Sequence, residues 1–378
     1  MPSSTSSSDV PYREVPEKNW GLAWVIAVVL VIAGVAAWEM QARAMHHVPG
    51  DYDELTNFAI QWGEERLELD DPDNDTRVVL LGSSRMLWGA DLDILEEELG
   101  TRPLQMAIPG TGPALMFKSV VEESDFDGLV LIGVTPFLFN RLDAGMFGGE
   151  ALRWYDGAGP SEYTGHWINS FLTQHFAFLD EGFRLFELLD NYSTLTIPER
   201  EGAYDLNART WKLGHHWEDR QTDMWPPVEE EGSFDNEQIL AFWMLGLSRP
   251  IPEPEGMQEM ADSAVELFMP LVEQLRERGG DVVFIRMPSS GKYLEYDLAA
   301  NYRELTWDPM AAGIDAVWIN AMDYPELSSD LEIPEWSHLS RQSQDDFSRR
   351  IVPVMEQYYE IVRGQSIRDV IDAPDSED

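Results

Sequence analysis

The chain has 378 residues; its 69 Asp and Glu against 26 Lys and Arg give a formal net charge of −43. With 44% hydrophobic and 11% aromatic residues it can fill a folded core, so its acidity is not that of a disordered chain, and it lacks the basic face a nucleic-acid binder needs. The cysteine count of 0 excludes disulfides, thiolate-ligated metals and cysteine nucleophiles, while lysine only at Lys18, Lys118, Lys212 and Lys292 suits a protein kept soluble in strong salt.

Residues 1–18, rich in Ser, read as a cytoplasmic stub. Residues 19–40 read as a transmembrane helix. No charge falls between Asn19 and Trp38, and Trp20, Trp24 and Trp38 lie towards the two ends. About 20 apolar residues at a ~1.5 Å rise cover a ~30 Å hydrocarbon layer. The competing reading is a cleaved signal peptide, but the run is long for one and Trp38-Glu39-Met40 is a poor cleavage site. Arg13 and Lys18 precede the span and Arg43 follows it, which favours the N-terminus inside and the large C-terminal portion outside the cell membrane. Residues 41–76 form a juxtamembrane linker or helix.

Residues 77–136 hold a β-α-β-α-β rhythm. Arg77–Leu81, Pro103–Ile108 and Gly128–Val134 are short apolar runs ending at turn residues, and Leu87, Leu92, Leu95 and Leu99 fall on one helical face between the first two. The rhythm breaks over 137–256, where Trp154, Trp167, Trp211, Trp217, Trp225 and Trp243 mark a mostly helical, aromatic-rich cap whose rings fill a small core of their own. It resumes over 257–364 with a helix, strands at Asp281–Met287 and Ala316–Asn320, and a last amphipathic helix from about Ser343 to Val362 in which Pro353 introduces a kink. Residues 365–378 read as an acidic tail. The fold class is α/β, a parallel sheet with helices on both faces.

Four elements fall at strand ends, where open α/β sheets place their sites. They are Gly82-Ser83-Ser84-Arg85, Gly110, Thr135 and Glu335-Trp336-Ser337-His338. A serine at a strand-to-helix turn is exposed near helix-terminal N–H groups. A histidine can take its proton, and a carboxylate can hold the second imidazole nitrogen. Backbone N–H groups at Ser84 and Gly110, with a polar side chain after the third strand, can surround an oxyanion. No Walker sequence and no G-x-G-x-x-G follows a strand, so no cofactor is expected. His46-His47 and His215-His216 are adjacent pairs that cannot share a helix face as metal ligands, so no metal is expected and both read as polar surface or interface.

The order and spacing of these elements from about Arg77 to Val362 resemble the SGNH/GDSL hydrolase superfamily, and the surroundings of Ser84 and His338 are similar to its membrane-anchored cell-envelope members. The resemblance implies an SGNH (flavodoxin-like) fold with Ser84 as nucleophile, His338 as base and Glu335 in the place of the family's Asp. It implies an oxyanion hole at Ser84, Gly110 and Thr135. Three departures stand out: Ser83 replaces an Asp, Thr135 an Asn, and Glu335 is one methylene longer than Asp. Asp330 or Glu332 could orient His338 instead. The implied function is a membrane-tethered, extracytoplasmic serine esterase or O-acyltransferase acting on acyl esters of cell-envelope glycans or polymers. The alternative is a non-catalytic scaffold of the same fold that binds a glycan or a membrane acyltransferase partner.

Overall fold

The structure, a computed structural model, describes residues 20–44, 55–71, 73–139, 145–179 and 213–372. The stub at 1–18, the middle of the cap and the last six residues of the expected tail lie outside them.

Among the described residues seven strands form, in chain order: β1 (Val78–Leu81), β2 (Leu104–Gln105), β3 (Leu129–Val134), β4 (Gly214–His216), β5 (Thr222–Met224), β6 (Asp281–Arg286) and β7 (Val317–Asn320). Five make one parallel sheet in the order β2-β1-β3-β6-β7, while β4 and β5 pair as an antiparallel hairpin. The register sets Val79 opposite Leu104, Val78 opposite Leu129, Leu129 opposite Asp281 and Val283 opposite Val317. The strands read as unbroken apolar runs because both faces are covered. Val78, Leu80, Leu131, Ile285 and Ile319 point into one core, and Val79, Leu81, Val130, Ile132 and Phe284 into the other.

The helices Leu92–Leu99 and Arg341–Arg363 cover the first face; Ala114–Glu123, Pro254–Glu277 and Trp307–Gly313 cover the second. Their ends follow local chemistry. The Asp91 side chain accepts from Ile94 N at 2.8 Å and Gly100, at φ +78, closes that helix. Ser340 caps the helix Arg341–Arg363, which runs on through Pro353 and closes at Gly364.

Four expectations change. The second strand, expected over Pro103–Ile108, pairs only at Leu104-Gln105; beyond it Met106 N and Ile108 N still donate singly to Leu80 O and Gly82 O. Among the described residues the cap is helical at Gly145–Gly157, Pro160–His175 and Phe234–Leu247, and its Trp225 packs into the core of the sheet rather than into one of the cap's own. Leu213, Met224, Trp225 and Val228 join the first core of the sheet, and Ala151 the second. His216 is buried rather than at the surface, with Nδ1 2.9 Å from Thr222 Oγ1. The acidic tail begins later than residue 365: Ile367, Val370 and Ile371 are buried in the first core, and Arg77 donates to the carbonyls of Val370 and Ile371.

Residues 55–68 of the juxtamembrane region form a helix, Leu55–Glu68, whose Trp62 is fully buried and donates Nε1–H to Met106 O at 3.1 Å. The N-terminal helix Trp20–Ala44 is long and apolar enough to cross a membrane, and its side chains from Leu22 to Ile32 are exposed. Its C-terminal end is held by the cap: Trp38 lies 5.1 Å from Phe178 between ring centroids, and Arg43 donates to His175 O at 3.1 Å.

Candidate functional site

The sheet order reverses direction between β1 and β3, which leaves a crevice at their carboxyl ends. Gly82 follows β1 at φ +147; a Cβ there would come within 2.9 Å of Gly133 O on β3. That close approach lets the chain turn at once into the one-turn helix Ser84–Leu87. Ser84 is the half-buried first residue of that helix. Its neighbours tie it to a distant loop. Arg85 Nε donates to Ser337 Oγ at 3.2 Å, and the Trp88 ring lies 4.9 Å from the His338 ring. The segments carrying Ser84 and His338 therefore converge.

The 333–338 loop is shaped by a clamp. Trp336 sits at φ +72, unusual for a bulky residue, and its ring occupies the space a Gly291 side chain would fill. Ser290 N donates to Trp336 O at 2.9 Å. The turn folds the Glu335 carboxylate back on its own loop. Oε1 lies 3.0 Å from His338 Nδ1 and accepts from the backbone N–H of His338 and, at 3.3 Å, of Ser337. Oε2 accepts from Trp243 Nε1 of the cap. Both Glu335 and His338 are buried, and the imidazole lies between Trp88 and Trp243. Asp330 and Glu332 do not reach it: Glu335 is the carboxylate brought to the imidazole.

Glu335 Oε1 lies beside Nδ1 at ion-pair distance but without hydrogen-bond geometry, which leaves Nε2 as the nitrogen to act as base or acid. Both ring nitrogens are buried, and neither forms a hydrogen bond, to Ser84 or to any other group, among the described residues. Thr135 is buried after β3, with its hydroxyl 2.6 Å from Ser83 Oγ. If Ser83 is the donor in that pair, the Thr135 proton is left for another acceptor. Gly110 is exposed at φ +64. No group of three His, Asp or Glu among the described residues is placed to hold a metal ion.

Two features escape a reading of the sequence. Arg85 and Asp297 form a fully buried ion pair at 2.7 Å, with the guanidinium 4.5 Å above the Tyr293 ring. Burial raises the Tyr293 phenol above its usual range, with Arg85 opposing and Asp297 and Glu335 adding. The cap also supplies Trp243 to Glu335. Proximity in sequence to Ser84 was the one signal for Arg85; nothing in the sequence singles out Trp243 among the cap tryptophans.

No family model, curated protein or solved structure matches this chain.

Proposed function

We propose that the protein is a membrane-tethered, extracytoplasmic serine esterase or O-acyltransferase of the SGNH/GDSL type, acting on acyl esters of cell-envelope glycans or polymers. The supporting observation is the buried Glu335–His338 pair at 3.0 Å, drawn to the Ser84 segment by the Arg85–Ser337 hydrogen bond and the Trp88–His338 contact. Ser84 Oγ attacks the acyl carbon as His338 Nε2 takes its proton. The tetrahedral oxyanion is met by N–H groups at Ser84 and Gly110 and by the Thr135 hydroxyl. It collapses to an acyl-enzyme, and His338 returns the proton to the departing alcohol. Water or a glycan hydroxyl then reverses the steps. Arg13 and Lys18 ahead of the apolar helix keep the N-terminus inside and set the sheet outside.

A second reading, a non-catalytic scaffold that binds a glycan or a membrane acyltransferase, is favoured by the missing hydrogen bond between Ser84 and His338. Catalytic hydrogen bonds are often long without substrate, so this does not displace the first reading. A fluorophosphonate probe separates the two. Labelling of the wild type that is lost in Ser84→Ala and in His338→Ala supports catalysis. An unlabelled wild type that also fails to hydrolyse short-chain aryl esters leaves the scaffold.

A further inference from the structure

Arg286 ends β6 at the carboxyl edge of the sheet and is 8% exposed. Among the described residues its Nε has no hydrogen-bond partner. The carboxylate nearest in chemistry, Asp297, is paired with Arg85 instead, and Asp323 is held by both of its oxygens on Arg303. A guanidinium with no ion pair of its own is costly to bury, even with the Asp297 and Asp323 charges nearby. It is the more conspicuous in a chain of net charge −43, where carboxylates are plentiful. Burial lowers the pKa of Arg286, with Asp297 opposing and Arg85 adding, but a guanidinium keeps its charge in proteins.

Arg286 lines a cavity of about 580 Å³ at the ends of β3, β6 and β7. Phe139, Leu294, Trp307 and Met310 give it apolar walls, Asn320 adds a polar group, and Glu304 and the ion-paired Arg303 and Asp323 also line it. That volume falls within the ~300–1,000 Å³ of small-molecule pockets, which pair apolar walls with a few fixed polar groups. The helix Gly291–Ala300 divides this cavity from the Ser84 segment: Tyr293 and Asp297 hold Arg85, while Leu294 and Leu298, each one position further on, line the cavity.

We infer that this cavity binds a small amphipathic anion, a carboxylate or phosphate head on an apolar body, with Arg286 as the counter-ion. The planar guanidinium fork suits either head group. The inference does not depend on Ser84 being a nucleophile.

The test is thermal melting of the full chain in non-ionic detergent at fixed ionic strength, with 4-phenylbutyrate, phenyl phosphate or neutral 4-phenylbutanol added. Either anion at saturation raises the melting temperature by about 4 °C or more, and the one that does so identifies the head group. The alcohol gives no comparable rise. Arg286→Met melts higher than the wild type without ligand, because an unpaired buried charge is gone, and no longer responds to the anion. Leu294→Trp fills the cavity from a half-buried wall, leaves Arg286 in place, and also abolishes the response; it carries the test should Arg286→Met fail to fold. Equal rises with the alcohol, an undiminished response in either variant, or no response to both anions would overturn the inference.

Discussion

Replacing Glu335 by Gln keeps its size and removes its charge, and the hydrogen bonds around the carboxylate set the cost. Two backbone N–H groups, of His338 and Ser337, converge on Oε1, with His338 Nδ1 beside it at 3.0 Å, and the Trp243 Nε1–H donates to Oε2. The new amide has one acceptor and one donor end. It keeps its oxygen towards the two backbone N–H groups and turns its NH2 against the Trp243 N–H. One charge-assisted bond is lost and two donors face each other in a buried site, a cost of about 2–4 kcal/mol. Trp243→Phe alone removes one donor to a carboxylate that retains its other partners and costs about 1–3 kcal/mol. In the double variant the NH2 no longer meets a donor. The combined loss should fall short of the sum by at least about 1 kcal/mol. Urea unfolding of all four proteins in detergent, followed by far-ultraviolet circular dichroism, measures this. Additivity within about 0.3 kcal/mol would refute the bond between the cap and the carboxylate.

The buried Arg85–Asp297 pair gives an asymmetric outcome: Asp297→Ala strands the guanidinium and should cost about 3–5 kcal/mol in urea unfolding, whereas Arg85→Met with Asp297→Leu should be close to neutral. A pH series tests Glu65, whose carboxyl burial raises from 4.5 to about 8, with Arg220 opposing and Glu68, Asp219 and Glu64 adding. Between those values the folded chain holds a proton that the unfolded chain has released. Stability therefore falls as pH rises from about 4.5 to 8, on the order of 2–5 kcal/mol, and Glu65→Gln should flatten that slope. An unchanged slope in Glu65→Gln would remove Glu65 as its source.

Strands β1, β3, β6 and β7 were legible because a strand buried on both faces leaves an unbroken apolar run, the clearest mark a strand can make. Strand β2 was overestimated: apolarity continues through Ile108, but after Gln105 the backbone leaves the regular ladder, its side-chain Oε1 capping Ala107 N at 3.0 Å. The buried segment at Ile367–Ile371 was obscured by the acidic residues around it, although 367, 370 and 371 share a helical face. Glu335 beside His338 could be read from a spacing of three. The Ser83–Thr135 contact, the Asp297 partner of Arg85 and the Trp243 partner of Glu335 could not. Each joins elements far apart in the chain, and local pattern carries no trace of such pairings.

The pairing of Leu129 with Asp281 places the whole cap between two neighbouring strands at the middle of the sheet. The consequence is kinetic. Loop closure of that length costs entropy before any contact rewards it, so the β3–β6 junction is a slow step of assembly. Ser84 belongs to the half synthesised before the junction, and Glu335 and His338 to the half synthesised after it. A chain still being synthesised therefore displays the serine turn long before it can hold the imidazole, and a nascent chain that stalls ahead of β6 leaves one edge of β3 open to any strand nearby.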